Sequence, residues 1–248
     1  MTLTPCTLTR ATAVAAIASG VIFIGVQLNH PHLDVASVHG TEWVVRSSLK
    51  ALMAALALVG ITGMYLYQVK KMGVLGLVGY VLFAANYLVI FGTSFVAAYV
   101  LPAIADTSPA YVKDVLAVAS GGHARGDIGA LQIVLLLEAG LYLGGGLVFG
   151  IGLYRANLLA RWAAALLAVG GVVSAGLQVL PDPWFRLLAF PNGIAMIGLG
   201  FSLWRATAAS AAPQPAADPT SAPTQQHSTA SDESATAAGD TASKAPSR

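Results

Sequence analysis

Six long apolar runs, separated by short segments that hold nearly all the charges, constrain this chain more than any other feature. A helix rises about 1.5 Å per residue and needs about 20 apolar residues to cross the hydrocarbon core of a bilayer. The six runs that meet this requirement are residues 11–29, 48–69, 73–101, 128–154, 161–180 and 184–204. The sequence therefore predicts an all-α fold, a polytopic membrane helix bundle of six transmembrane helices that occupies residues 11–205.

The overall composition excludes an ordinary soluble domain. Only 10% of the residues are charged and 56% are hydrophobic, with a mean hydropathy of +0.71; soluble domains average about 25% charged residues. The net charge of +2 comes from 13 basic and 11 acidic residues. These are divided among several loops, so they form no clustered basic face for nucleic acid. The expected partner is the lipid bilayer, with no nucleic acid.

Basic residues in the short loops predict how the chain is threaded, because cytoplasmic loops are enriched in lysine and arginine. One set of connections is purely basic and holds Arg10, Lys70, Lys71, Arg155, Arg161 and Arg205. The other set holds five basic residues mixed with acids, namely Arg46, Lys50, Lys113, Arg125 and Arg186. Placing the purely basic set inside predicts that both termini are cytoplasmic. This set has six basic residues, and the mixed set has five.

The two ends of the chain lie outside the predicted bundle. Residues 1–10 are expected to be a cytoplasmic tail, with Cys6 as an ordinary tail residue; as the only cysteine it excludes an intrachain disulfide. The first apolar run is favoured as an uncleaved helix over a secretory signal, because no small-x-small cleavage pattern follows it. Residues 206–248, rich in Ala, Pro, Ser and Thr, predict a disordered cytoplasmic tail.

The second outer loop carries the pattern of a short amphipathic helix. Thr107, Ser108 and Pro109 form a typical helix start, with a hydroxyl cap and a proline in the first turn. The residues that follow predict an apolar stripe, ended by Gly121 and Gly122; its members are Tyr111, Val112, Val115, Leu116 and Val118. A lid over the bundle is favoured over a partner-binding element.

Glu138 is the one carboxylate inside a predicted span, about 15 Å from its outer end. Asn86 lies at a similar depth in the third run, so a bond between a neutral Glu138 and the Asn86 amide is allowed. Low dielectric favours the neutral form of an acid that has no cationic partner. Glu138 is therefore interpreted as an interhelical clasp, or alternatively as a proton, ion or solute site.

Three further polar residues extend this candidate ligand or ion site. Gln132, Gln178 and Asn192 lie toward the outer ends of their runs and, with Glu138, would line a cavity open to the outside. Each alone is more often a helix-to-helix hydrogen bond. Pro191 and Gly193 flank Asn192, a pattern that predicts a kink or break in the sixth helix.

Four histidines are assigned to the outer side, and they are weak candidates for a metal site: His30, His32, His39 and His123. Imidazoles near carboxylates bind zinc or copper, but the spacing here matches no established metal motif. No histidine lies deep in a span, which argues against membrane haem. No metal and no cofactor are therefore expected.

Glycines in the fourth run have small-xxx-small spacings that allow close helix contact; they are Gly140, Gly144, Gly146 and Gly150. Packing within the chain is favoured over a homo-oligomer interface.

The Ala- and Gly-rich texture, the six runs, an outer-loop Trp43 with Arg46, and the Pro- and Ala-rich tail resemble uncharacterised multi-pass membrane proteins of high-GC bacteria, especially actinobacteria. The resemblance covers residues 11–205 and implies a bacterial plasma membrane location, but it assigns no functional residue. Three functions remain as hypotheses: a non-enzymatic structural, accessory or sensory component, which is favoured; a small transporter or channel using Glu138; and an outer-face metal or redox enzyme.

Overall fold

The computed structural model describes residues 4–28, 33–176 and 189–210, and every regular element in these ranges is helical. Helix α1 spans Pro5–Gln27. It begins at Pro5 because the Thr4 side chain accepts a hydrogen bond from the Thr7 amide, and because proline suits the first helical position. Residues 5–10, expected to be part of a tail, are thus helical, and the Cys6 thiol lies 3.7 Å from the Thr207 carbonyl oxygen.

The C-terminus of α1 is held by an arginine of the third helix. The Arg46 guanidinium donates to the Val26 and Leu28 carbonyl oxygens, over 3.1 and 2.7 Å, and also pairs with Glu42. A cation that satisfies the last carbonyls of a helix complements its dipole. Arg46, expected simply as a loop cation, therefore fixes the approach of α1 to the next helix.

A one-turn helix α2, Val35–Val38, precedes the long helix α3, Thr41–Phe95. Gly73 interrupts α3 with φ 57° and ψ −158°, so the chain reverses there into two antiparallel arms. Hydroxyl groups of Thr62 and Tyr80 are hydrogen-bonded across the arms at 3.1 Å, and the Tyr65 and Tyr80 rings stack with centroids 4.6 Å apart. The second and third apolar runs thus form a tight hairpin that turns at Gly73.

The second arm of α3 ends in a π-helical turn, Val96–Val100, followed by the short helix α4, Leu101–Ile104. Pro102 has no amide hydrogen, so the regular bonding ladder cannot continue through it. The Leu101 amide bonds instead to the Val96 carbonyl. This leaves the Ala97 carbonyl oxygen as the acceptor for the Trp43 indole, 2.8 Å away, which ties the two arms together at their open end.

The predicted amphipathic helix is present as α5, Pro109–Ala119. Its buried residues are Val112, Val115 and Leu116, which pack in a cluster with Val38 and Trp43. The expected hydroxyl cap is absent, because the Ser108 side chain makes no capping bond. The helix ends as predicted, with Gly121 at φ 83°.

The loop after α5 is organised by one carboxylate. Asp114 accepts hydrogen bonds from the Arg125 and Gly126 amides, at 3.1 and 2.8 Å. These backbone bonds hold the pKa of the Asp114 carboxyl below its ordinary value. The loop is thereby folded back onto α5.

Helices α6, Ala130–Ala156, and α7, Arg161–Gly176, follow, and the last described helix is α8, Ala189–Ser210. Neighbouring pairs are α8 with α1, α1 with α3, α3 with α6, α6 with α7, and α7 with α8, so the helices close into a ring. The buried cluster that joins them includes Ile61, Met64, Phe83, Phe149 and Leu199.

The ring has two distinct ends. We call one the arginine end; it comprises the N-terminus of α1, the Gly73 turn, the α6–α7 connection and the C-terminus of α8. The opposite end, called the α5 end, comprises α2, the open ends of the α3 arms, α5 and the start of α6. The purely basic segments thus share one end, and the mixed segments that are described share the other.

Among the described residues, three helices are long and apolar enough to cross a membrane: Pro5–Gln27, Thr41–Ile104 and Ala130–Ala156. Pro191 lies in the first turn of α8, where its missing amide hydrogen costs little. The described helix continues through Asn192 and Gly193, so the predicted break is wrong at these positions, while the alternative, a kink, stays a prediction. Residues 177–188 and the tail after 210 lie outside the described ranges.

Glycines let the second arm of α3 and helix α6 approach backbone to backbone. A Cβ at Gly145 would lie 2.7 Å from the Phe83 Cα, and one at Gly79 would lie 2.5 Å from the Phe149 amide nitrogen. Gly146 and Gly150 face α7, as expected for packing within the chain. Atoms added at the other two predicted glycines, Gly140 and Gly144, would meet nothing within 4 Å.

Candidate polar site between the helices

Glu138 lies eight residues after Ala130, the start of α6, and its side chain is partly exposed. Its Oε2 accepts a hydrogen bond of 2.8 Å from the Thr93 hydroxyl, on the second arm of α3. The same hydroxyl lies 3.2 Å from the Ile90 carbonyl oxygen. A charged Glu138 therefore accepts from Thr93, whereas a neutral one would donate to Thr93 while Thr93 donates to Ile90. The pair accommodates both protonation states.

The expected bond between Glu138 and Asn86 is not formed. Asn86 is fully buried, and neither its amide nitrogen nor its amide oxygen has a hydrogen-bond partner among the described residues. The antiparallel contact of Phe83 with Gly145 places Glu138 opposite Ile90, between Asn86 and Thr93. Side chains tilt toward the N-terminus of their helix, so Glu138 points to Thr93 and away from Asn86. Glu138 also interacts electrostatically with Lys50 of the first arm of α3.

Asn192 takes part in a second polar group, deeper in the bundle. Its Nδ2 donates to the Tyr142 hydroxyl, linking α8 to α6. Gly170 makes room for the amide, since a Cβ there would lie 2.8 Å from the Asn192 Oδ1. Tyr87, the neighbour of Asn86 in α3, lies near Tyr142. Three helices thus contribute polar side chains at this level.

Helix register places Asn86 at the same level. Phe83 faces Gly145 across the α3–α6 contact, and the two helices are antiparallel, so the residue three positions after Phe83 lies opposite Tyr142. The Asn192 Oδ1 also lacks a partner among the described residues. Among the described residues, Asn86 and Asn192 are therefore buried amides with unused hydrogen-bonding capacity, separate from the Glu138–Thr93 pair.

The outward-open cavity expected from the sequence is not assembled by the described residues. Gln132 is exposed on α6, and Asn192 is buried against Tyr142. Gln178 lies outside the described ranges. The predicted polar set is thus divided between a partly exposed acid, an exposed glutamine and a buried amide.

Two of the four histidines named as weak metal candidates are described. The His39 Nε2 lies 3.5 Å from the Asp106 Oδ1, and His123 is in an exposed loop. His30 and His32 lie outside the described ranges. Over residues 4–28, 33–176 and 189–210, there is no group of three or more histidine, cysteine or acidic side chains that would hold a metal ion.

Two surface pockets lie at the arginine end. One, of about 280 Å³, is lined by Tyr154, Arg155, Asn157 and Arg161. The other, of about 620 Å³, runs between the start of α7 and the end of α8. In the sequence these arginines indicated only the orientation of the chain, and their positions did not predict a site.

Thr93 and Tyr142 are the other side chains of the site that were not predicted from the sequence. Thr93 is seven residues from Asn86, which places both on one face of the arm, and this spacing is the local signal that would have found it. Tyr142 gives no such signal, because its partner Asn192 is 50 residues away. Compared with known protein families, curated proteins and solved structures, the chain matches none of them.

Proposed function

We propose that the chain is a six-span protein of the bacterial plasma membrane with the arginine end and both termini in the cytoplasm. Each arm of α3 exceeds the length of about 20 residues that a span requires. With α1, α6, α7 and α8 the arms make six antiparallel segments. The six basic residues at or beside the arginine end, Arg10, Lys70, Lys71, Arg155, Arg161 and Arg205, support the cytoplasmic assignment.

Cysteine labelling tests this threading, since Cys6→Ser alone gives a cysteine-free background. We expect Thr41→Cys and Ala119→Cys to react with a membrane-impermeant maleimide on intact cells. Lys71→Cys and Leu158→Cys, at the arginine end, should react only after permeabilisation. All four original residues are exposed, and three of them are polar or small, the exception being Leu158. Labelling of Lys71→Cys on intact cells together with Ala119→Cys would show that the second arm of α3 does not cross.

The function that the geometry supports best is a non-enzymatic structural, accessory or sensory component of the membrane. The observation that carries this proposal is the Thr93–Glu138 bond, in which the one predicted intramembrane acid joins two helices. Tyr142–Asn192 and Thr62–Tyr80 bond in the same way, between helices or arms. Polar groups used in this way fix the packing of a membrane bundle, and each contributes roughly 1 kcal/mol.

A small transporter or channel is the second candidate. It is favoured by the ability of the Glu138–Thr93 pair to accommodate two protonation states, and by the unpartnered Asn86 amide in the interior. An intramembrane acid of this kind is suited to exchange a proton or a cation. An outer-face metal or redox enzyme has less support, since the described histidines have at most one acidic neighbour.

Substitution of Glu138 separates the two candidates. Glu138→Gln keeps an oxygen that accepts from Thr93, so a structural clasp predicts nearly unchanged thermal stability. Glu138→Leu and Thr93→Val each remove the bond and should cost about 1 kcal/mol. Combining these two should cost little more than either alone, because they share one interaction. Melting of the purified protein in detergent measures this series.

Proton and cation flux in proteoliposomes tests the transport function directly. The structural proposal expects the same background leak from the wild type and from Glu138→Gln. A wild-type flux that Glu138→Gln abolishes, with melting unchanged, would establish transport and overturn the structural function.

The glycines that remain available for a homo-oligomer contact lie in one part of α6. Gly146 and Gly150 pack on α7, whereas Gly140 and Gly144 meet nothing that would exclude a neighbouring helix. We therefore keep only Gly140 and Gly144 as the proposed contact with a second copy.

A further inference from the structure

We propose that the arginine end binds an anionic phospholipid, whose phosphate is held by Arg155, Arg161 and Arg205 and whose acyl chain lies in the groove between α7 and α8. The proposal rests on membrane embedding, as put forward above, and adds a ligand of defined chemistry. It uses residues that take no part in the Glu138 pair or in the buried polar group.

The groove is large enough to admit an acyl chain, and most of its lining residues are apolar. Its volume is about 620 Å³, and its lining residues are Leu158, Ala160, Trp162, Gly198, Phe201, Ser202, Arg205 and Ala206. Gly198 allows Trp162 to lie close against α8, since a Cβ at Gly198 would be 2.5 Å from the indole ring. The Ala160 amide donates to the Ser202 hydroxyl at 2.9 Å, which fixes the start of α7 beside α8. The groove is thus a built feature of the helix packing.

Three arginines line this groove and the neighbouring pocket at the same end of the bundle. Arg205 lines the groove directly, while Arg155 and Arg161 line the second pocket on the same α6–α7 connection. The Arg161 Cζ lies 4.2 Å from the centre of the Tyr154 ring, and the Arg205 Cζ lies 5.8 Å from that of Phe201. Stacking on an aromatic face orients a guanidinium and leaves its edge donors available for phosphate.

No described carboxylate neutralises these arginines. The ion pairs found among the described residues, Arg46–Glu42 and His39–Asp106, are both at the α5 end. Near the C-terminus of α8, the Arg10 Nε is a buried donor without a partner in the described part of the chain, and its guanidinium lies 5.7 Å from the Trp204 ring. The charge at this end is therefore complementary to an anionic headgroup. Basic pockets between membrane helices recognise such headgroups.

The apolar wall favours a lipid over a soluble anion. Trp162 and Phe201 are 59% and 55% exposed, beside arginines that lie at the end of the bundle. Aromatic residues at this depth are typical of the membrane interface. Free phosphate would satisfy the arginines but leave both rings uncovered, whereas a phospholipid covers the rings and pairs with the charges.

Quenching of Trp162 by lipids with brominated acyl chains tests the proposal. A chain carrying Trp43→Phe, Trp184→Phe and Trp204→Phe retains Trp162 as its only tryptophan. In phosphatidylcholine vesicles we expect a low fraction of brominated phosphatidylglycerol to quench Trp162 several-fold more than the same fraction of brominated phosphatidylcholine. Excess inorganic phosphate should not reverse the quenching.

The preference should disappear in Arg155→Gln/Arg161→Gln/Arg205→Gln. It should persist in the matched control Lys113→Gln/Arg125→Gln, which removes charge from the α5 end. Equal quenching by the two lipids, or a preference that survives the triple arginine substitution, overturns the proposal. Reversal of the quenching by inorganic phosphate would identify a soluble anion as the ligand, and it would also overturn the proposal.

Membrane embedding has its own readout in this experiment. Vesicles made wholly of brominated phosphatidylcholine should quench Trp162 whether or not the anionic site exists. A lack of quenching in these vesicles would contradict membrane embedding and not the lipid site alone. If the tryptophan substitutions prevent folding, native mass spectrometry of the otherwise wild-type chain counts retained phosphatidylglycerol. Retention equal to that of the triple arginine variant then rejects the site.

Discussion

Alanine at Gly145 or at Gly79 is expected to destabilise the protein markedly, because each glycine lies against the backbone of the neighbouring helix. Added Cβ atoms would lie 2.7 Å from the Phe83 Cα and 2.5 Å from the Phe149 amide nitrogen, respectively. Both neighbours are backbone atoms, so no side-chain rotation relieves the overlap. Overpacking of this kind costs about 1–3 kcal/mol, and the rigid backbone contact favours the upper end.

Gly92→Ala is the matched control for this pair. Gly92 is also in the second arm of α3, but a Cβ there meets nothing within 4 Å. Alanine should then be neutral or stabilising, by up to about 1 kcal/mol, because glycine is the poorer helix former. Thermal melting of the purified variants in one detergent gives the comparison. Equal melting temperatures for Gly145→Ala, Gly79→Ala and Gly92→Ala would contradict the close approach of α3 and α6.

The elements that the sequence predicted well are those specified by local chemistry. The apolar stripe of α5 separates buried Val112, Val115 and Leu116 from exposed Lys113, and this contrast is readable from spacing alone. The turn at Gly73 was likewise marked by the break between two apolar runs beside Lys70 and Lys71. In each case a few neighbouring residues determine the structure.

The orientation of α6 could not be predicted in the same way, because the helix is apolar on every side. Small residues occur around its circumference, and the pattern does not distinguish Gly145, which contacts α3, from Gly140, which meets nothing. The partner of a membrane helix depends on the shape of the other surface, which local spacing does not encode. Gly145 was therefore missed, and Gly140 was selected with the others.

The partner of Glu138 could not be predicted for the same reason, because local spacing does not encode how two helices align. Depth along each helix was predictable, and it placed Asn86 and Glu138 at similar levels. Their pairing, however, depends on the register between α3 and α6, which the Gly79 and Gly145 contacts determine. That register brings Thr93 to Glu138 and Tyr142 to the level of Asn86. A displacement of about one helical turn, from Asn86 to the level of Ile90, changed the partner of the only acid in the predicted spans.

Replacement of Gly73 by valine should disrupt the reversal of α3. Gly73 has φ 57° and ψ −158°, a backbone region essentially reserved for glycine. A Cβ there would meet nothing within 4 Å, so the penalty comes from the local backbone and not from neighbours. A strained conformation of this kind costs roughly 1–3 kcal/mol, with valine at the upper end because it is β-branched.

Gly92→Val separates this backbone effect from the general cost of valine in a helix. Gly92 is helical and equally open, so the substitution should cost no more than a few tenths of a kcal/mol relative to glycine. Gly73→Val should melt well below it and also weaken the stacking of Tyr65 on Tyr80, which depends on the two arms meeting. Near-ultraviolet circular dichroism reports on such tyrosine pairs. If Gly73→Val and Gly92→Val melt together and keep the same tyrosine signal, the reversal does not require the positive φ of Gly73.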